Sequence, residues 1–188
     1  AAREAINRIE MGTVVKAVLQ FREAFWEHAS PEMAKKPRQL ADMGFLIAAT
    51  ADHDVAVPTW WTSLPMRTPR LTAWAGGPAA ARLSGRGERQ VLEVALADLA
   101  AAFHRPASEL ANLLDRADVF DWPADPFSRG AYSYVPVGGL DAPDLLAQPI
   151  EQTLYFAGEA THAAMAGTVA GAIASGYRAS DQILTDRR

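Results

Sequence analysis

The sequence predicts an α+β fold, with a mixed, mainly antiparallel sheet and helices packed on it. Three observations carry that expectation. β-rich apolar runs crowd the first half, a long run with 3–4 apolar spacing follows them, and the chain closes on a short apolar run, a polar loop and a small-residue helix.

Arg3 to Glu10 reads as the end of a helix. Thr13–Phe21 (TVVKAVLQF) is β-rich, with Val14, Ala17 or Val18, and Phe21 as its larger apolar members. Strict alternation fails there, so burial on both faces is expected. The following stretch carries Pro31 and Pro37 and reads as an irregular connection with room for a short helix. Gly44–Thr50 and Ala56–Leu64 read as strands joined by the Ala-Asp-His-Asp turn of a hairpin, and Arg70–Gly77 as a further strand closed by a glycine pair. Alternation sends one of Trp60 and Trp61 into the core and the other to the opposite face.

The run from Glu88 to Phe103 sets Val91, Leu92, Ala95, Leu96, Leu99 and Phe103 on one helical face. Pro106 opens a second, shorter helix bearing Leu110, Leu113 and Leu114. Ala117–Trp122 is a short strand, and residues 125–150 are rich in Pro, Gly and aromatics, more loop than element. Thr153–Ala157 is a strand, and the last helix runs from Thr168 to about Asp186. Two domains are expected: residues 1–124, and residues 125–188, the latter too small to fold alone.

Composition excludes several classes. At 188 residues, with 49% hydrophobic and 21% charged residues and a net charge of −4, the chain reads as an ordinary soluble globular protein. No basic run suggests nucleic acid or an anionic membrane as partner, and no apolar stretch reaches the ~20 residues of a membrane span. No apolar signal-peptide core is visible, and the first residue is Ala rather than Met, which points to a start inside a longer chain. The absence of cysteine excludes disulfides, zinc–thiolate sites and a cysteine nucleophile, and fits a reducing, cytoplasmic location. The four histidines are scattered, and no metal-ligand set or catalytic triad stands out. The weight of Ala and Arg suggests a GC-rich bacterial source.

Leu154–Leu184 poses the functional question. Glu159 follows an apolar run, and Gly167, Gly171 and Gly176 lie in or beside a helix where glycine costs about 1 kcal/mol relative to alanine. Small residues allow close approach to a sheet or to a flat ligand, and a helix N-terminus beside a carboxylate favours an anion or an electron-rich carbonyl. Ordinary helix–sheet packing explains the same pattern equally well.

The segment LYFAGEATH…AGTVAGAIASGYRASDQIL resembles the C-terminal part of the flavin-dependent amine oxidases, the family of monoamine oxidases, polyamine oxidases and flavin histone demethylases. INRIEMGTVVKAVLQFREAFW, WPADPFSRGAYSYVPVGG and DLLAQPI resemble further family blocks, in the family's order. The resemblance implies a substrate-binding lobe (1–124) and the C-terminal strand and helix of a Rossmann-like FAD-binding lobe (125–188). It implies FAD as cofactor and a small-molecule amine as substrate. By the same resemblance, Gly158, Glu159, Gly167, Thr168 and Val169 are cofactor-binding, with Glu159 at the ribityl–phosphate and the Val169 N–H at the flavin C2 carbonyl. Lys16 matches the lysine that holds a water near flavin N5, and Trp122 and Phe127 line the flavin edge or serve as core. Tyr132 matches one wall of the aromatic cage around the amine nitrogen. Thr168 stands where monoamine oxidases have a second tyrosine, so the two-ring cage is incomplete. Ala131 replaces the cysteine that binds flavin covalently in those enzymes, so noncovalent FAD is expected. His162 is read as a cap or bridge of its loop rather than a chemical group.

None of the thirteen glycines forms the G-x-G-x-x-G fingerprint of the dinucleotide clamp. The expected molecule is therefore a C-terminal part that lacks an N-terminal FAD-binding half and is inactive alone. Protoporphyrinogen oxidases and carotenoid desaturases are the neighbouring enzyme alternatives, and a non-catalytic association fragment is the third.

Overall fold

The computed structural model describes residues 2–28, 42–48 and 55–186. Its contacts divide into two compact units: Thr13–Ser128, and Ala1–Gly12 together with Arg129–Arg188. The division along the chain thus falls at 128/129 where the sequence suggests 124/125, and residues 1–12 group with the C-terminal segment. The reason is local pairing. Strand β1 (Glu10–Met11) bonds strand β7 (Ser133–Tyr134) antiparallel, and helix α1 (Ala2–Ile6) buries Ala5 against Ala142 and Leu146 of helix α5 (Ala142–Leu146).

The unit Thr13–Ser128 is a five-stranded antiparallel sheet with helices, as the α+β expectation holds. The strands are β2 (Val14–Phe21), β3 (Phe45–Ile47), β4 (Thr59–Thr62), β5 (Arg70–Gly76) and β6 (Leu114–Asp121), in spatial order β3-β4-β5-β2-β6. In β2, Val15, Ala17, Leu19 and Phe21 face the core while Lys16, Val18 and Gln20 lie half-buried on the other face. Alternation therefore does hold beyond Val15; the sequence obscured it because Ala17 is small and Val18 is apolar. Trp60 is fully buried, its indole N–H donating to the Val57 carbonyl at 2.9 Å, and Trp61 lies half-buried on the opposite face, as alternation requires. The Ala-Asp-His-Asp turn and the Pro31/Pro37 connection lie outside the described residues.

Among the described residues of this unit, three α-helices pack on the sheet. Helix α2 (Gly77–Leu83) was not expected, because the glycine pair reads as the end of a strand. Gly77 instead takes a left-handed φ of 57° and Pro78 starts the helix directly. Helix α3 (Glu88–Ala102) buries Val91, Ala95, Leu96 and Leu99, the expected face, and also Asp98. Helix α4 (Ala107–Leu113) begins after Pro106 and runs straight into β6, which starts at Leu114 rather than Ala117 because Leu114 pairs with Phe21.

In the other unit, the strand expected at Thr153–Ala157 does not form. Glu151 and Gln152 take positive φ and turn the chain tightly, so that Leu154 makes a single bridge back to Ile150. Tyr155–Ala157 have no neighbouring strand among the described residues, and a strand without a partner cannot satisfy its backbone groups. The expected helical stretch Arg3–Glu10 shortens to α1, since Glu10 is committed to β1. The closing helix, α6 (Val169–Asp186), is as expected.

Candidate functional site

Six of the residues singled out by sequence come together in the unit that contains α6. Glu159 sits in a 3-10 turn (Glu159–Thr161) and is the hub. Its Oε1 accepts from the Ser133 N–H at 2.8 Å; its Oε2 accepts from Ser133 Oγ at 2.8 Å and from the Gly167 N–H at 2.5 Å. The carboxylate thus ties three chain segments together. Gly158, immediately before it, has φ 131° and donates its N–H to Ser175 Oγ at 2.8 Å.

Thr168 caps α6. Its Oγ1 donates to the Met165 carbonyl at 2.7 Å and accepts from the Gly171 N–H at 3.0 Å. The hydroxyl proton is thereby spent, so the Thr168 side chain has no donor left for a ligand. Behind the cap, Gly171, Ser175 and Ala179 form the buried stripe of α6. The glycine is required by close approach: a Cβ on Gly171 would lie 2.2 Å from the Met165 carbonyl oxygen. Gly176 has open space around it and no such role.

The cap leaves two donors free. Val169 and Ala170 occupy the first turn, where N–H groups have no intrahelical acceptor, and neither finds one among the described residues. Val169 is 77% exposed. Tyr132 stands beside this turn: its ring is in ordinary contact range of a Cβ placed on Gly167. Its backbone is fixed by Gly12, whose N–H donates to the Tyr132 carbonyl at 2.7 Å, while the Ala131 N–H donates to Gly12 at 2.9 Å. His162 caps the adjoining 3-10 turn, its Nδ1 accepting from the Met165 N–H at 3.3 Å, in agreement with its expected structural role.

Lys16 and Trp122 belong to the five-stranded unit and share one face of its sheet. Lys16 is half-buried, and its Nζ lies 5.0 Å from the centroid of the Phe120 ring. Phe120 in turn stacks on Trp122 at 6.1 Å with an interplanar angle of 16°. The Trp122 N–H donates to the Val14 carbonyl at 3.3 Å, which prolongs the β2–β6 ladder past Asp121. Phe127 is 94% exposed and is no part of a core.

The sequence reading missed Ser133, Ser175, Phe120 and Arg178. Arg178 donates to the carbonyls of Ala147 and Phe156 and to Thr161 Oγ1, fastening α6 to the segment that carries Glu159. Only Ser175 had a sequence signal, its place in the small-residue stripe; the others act on partners remote in sequence.

Chemically, the start of α6 offers two N–H donors at the positive end of a helix dipole, next to an exposed aromatic ring. That donor set fits an electron-rich carbonyl at the edge of a flat ring such as an isoalloxazine. Glu159 keeps one acceptor position beyond its three bonds, enough for one hydroxyl. Among the described residues there is no group of three acidic or histidine side chains that could hold a metal ion, and no helix long and apolar enough to cross a membrane.

Residues 1–184 match the family model described as flavin containing amine oxidoreductase. The chain is 29% identical over 187 residues to the lysine-specific histone demethylase 1 homolog 1 of Oryza sativa subsp. japonica, covering 99% of this chain and 21% of that protein. It is 30% identical to the human lysine-specific histone demethylase 2, over 96% of this chain and 21% of that one. The bovine peroxisomal N(1)-acetyl-spermine/spermidine oxidase is 30% identical over 97% of this chain and 37% of its own length. The chain therefore spans about a fifth to a little over a third of these relatives.

Proposed function

The chain belongs to the flavin-containing amine oxidoreductase family, and from that premise we propose that it is the C-terminal part of an FAD-dependent amine oxidase. The observation that carries the reading is the pair of acceptor-free N–H groups of Val169 and Ala170 at the start of α6. In this reading the Val169 N–H bonds the flavin C2 carbonyl, where reduction gathers negative charge that a helix N-terminus stabilises. Glu159 holds the Gly167 turn in place and offers its remaining acceptor position to the ribityl chain. Trp122 lines the flavin edge, and Gly158 and Gly167 keep the approach clear.

A flavin held there would supply two-electron oxidation of the amine: it would accept a hydride from the α-carbon and pass the electrons to dioxygen, giving hydrogen peroxide and an imine that water would hydrolyse. Tyr132 forms one wall for the amine, with the Thr168 methyl opposite it. Lys16 holds a water for the reoxidation by dioxygen. Ala131 offers no thiol, so the flavin is noncovalent. Amines are preferred to polyenes or protoporphyrinogen because Lys16 and the Arg-Gly-Ala-Tyr-Ser-Tyr block occur together.

We further infer that the 188-residue chain is inactive alone and takes an N-terminal FAD-binding half as partner, with no nucleic-acid or membrane partner, in the cytoplasm of a bacterium. The lack of a dinucleotide fingerprint supports the first point. So does the outer row of α6, where Val169, Ile173, Tyr177 and Leu184 are 77, 57, 72 and 61% exposed.

Val169→Pro in the flavin-loaded enzyme tests the reading. Proline is tolerated at the first helical position, so α6 persists while the N–H is lost. Flavin retained on desalting should fall, and the remaining flavin should become harder to reduce. Retention and potential equal to the parent would sink the assignment.

A further inference from the structure

The sheet face that carries Lys16 holds its ammonium against an aromatic ring. Lys16 faces Phe120 directly across β2–β6 and Trp74 across β2–β5. Its Nζ lies 5.0 Å from the Phe120 ring centroid, within the range of a cation–π contact. Among the described residues it makes no ion pair and no side-chain hydrogen bond. The nearest acidic position on this face of β6, Asp118, is paired with Arg116 at 2.9 Å, and the Asp121 carboxylate is taken by Ser84 Oγ and the Gly85 N–H.

We infer that Phe120 is a positioning residue for Lys16, an aromatic shelf that fixes the ammonium without consuming its hydrogen-bond donors. A carboxylate in that place would take up N–H groups and cancel the charge. A ring face attracts the cation through its quadrupole and leaves the N–H groups on the far side free for a water. Lysine has a flexible four-carbon stem whose freedom must be restricted if the charge is to stay in one place. The shelf is itself braced, since Phe120 stacks on Trp122 at 6.1 Å. The inference rests on the proposal above that Lys16 serves the flavin.

The test has one arm that needs no flavin. Lys16, Lys35 and Lys36 are the lysines of the sequence, so selective labelling of the lysine ε-carbon in the full chain gives few signals, and Lys16→Met assigns one of them. The ε-methylene protons of Lys16 should carry an upfield ring-current shift that disappears in Phe120→Leu and survives in Phe120→Trp. Phe120 is 39% exposed, so the core does not depend on it; should the leucine variant fail to fold, Phe120→Thr supplies a ring-free strand residue. In the second arm, the flavin-loaded enzyme is reduced by amine without oxygen and mixed with dioxygen. Reoxidation should slow by about two- to fivefold in Phe120→Leu, the rate equivalent of one exposed cation–π contact, and recover in Phe120→Trp, with the rate of reduction by amine unchanged. An absent ring-current shift, or equal reoxidation in the leucine and tryptophan variants while Lys16→Met is slow, would overturn the role of Phe120 and leave that of Lys16. Parental reoxidation in Lys16→Met would overturn both.

Discussion

Ser133 gives both of its donors to Glu159: its N–H and its Oγ–H each meet a different carboxylate oxygen at 2.8 Å. The second oxygen also accepts the Gly167 N–H. Charge-assisted bonds to a half-buried carboxylate are the stronger kind, and a neutral amide offers only one accepting atom for the same three donors. Glu159→Gln should therefore lower unfolding stability by about 1–3 kcal/mol, and Ser133→Ala, which keeps the backbone bond, by about 1 kcal/mol. Denaturant unfolding of the double variant should fall short of the sum of the two losses; strict additivity would mean that the pair is not coupled.

Two glycines of one helix should respond to alanine in opposite directions. Gly171 lies against the Met165 carbonyl, where an added Cβ would sit at 2.2 Å, and backbone cannot be displaced cheaply. Gly176 has no atom within 4 Å of that position. Gly171→Ala should destabilise by about 1–3 kcal/mol despite the better helix propensity of alanine, and Gly176→Ala should stabilise by about 1 kcal/mol. Thermal midpoints moving in the same direction would refute the packing argument.

The particular elements explain what the sequence made legible. The 3–4 spacing of Val91, Ala95 and Leu99 is a property of one segment, so α3 could be read locally, as could the opposed faces of Trp60 and Trp61. The Thr153–Ala157 run has strand composition, but a strand exists only with a partner, and composition carries no information about one. The same distinction divides the site. Glu159 and the α6 N-terminus stand out in a single stretch of sequence, whereas Ser133 is 26 residues from Glu159 and is joined to it only by the fold. Phe120 likewise meets Lys16 only through the β2–β6 register, which no periodicity within either strand reveals.

Asp98 is the charged residue that α3 buries, 5% exposed on an otherwise apolar face. Its Oδ2 accepts the N–H groups of Ala56 and Val57 at 2.9 and 2.8 Å, fastening the segment that leads into β4. Truncation would leave two backbone donors without that acceptor, and Val57 is itself buried. Asp98→Ala should cost about 2–4 kcal/mol, and Asp98→Asn, which retains an accepting oxygen, about 1 kcal/mol. A loss below 1 kcal/mol in the alanine variant, measured by urea unfolding, would show that water replaces the carboxylate freely.

Acid should dissolve the pair that joins the N-terminal segment to α5. Arg8 Nη1 donates to Asp141 Oδ2 at 3.1 Å, its Nη2 reaches Oδ1, and Nη2 also donates to the Gly138 carbonyl at 2.7 Å. The hydrogen bonds from Arg8 hold the Asp141 carboxyl below the usual carboxylate range, helped by the residue's own N–H and by the Arg8 charge and opposed by desolvation. Arg8 is shifted upward by the same bond and stays protonated throughout. A carboxyl with a depressed native pKa contributes its stability in full above the unfolded value, about 3.9, and loses it as pH falls through the native value. The stability gap between the parent and Asp141→Asn should thus be constant near neutrality and close on acidification below that range. Because the pair is solvent-exposed, salt should narrow the neutral gap as well. A gap that persists undiminished in acid and in high salt would assign the contribution of Asp141 to the α5 backbone rather than to Arg8.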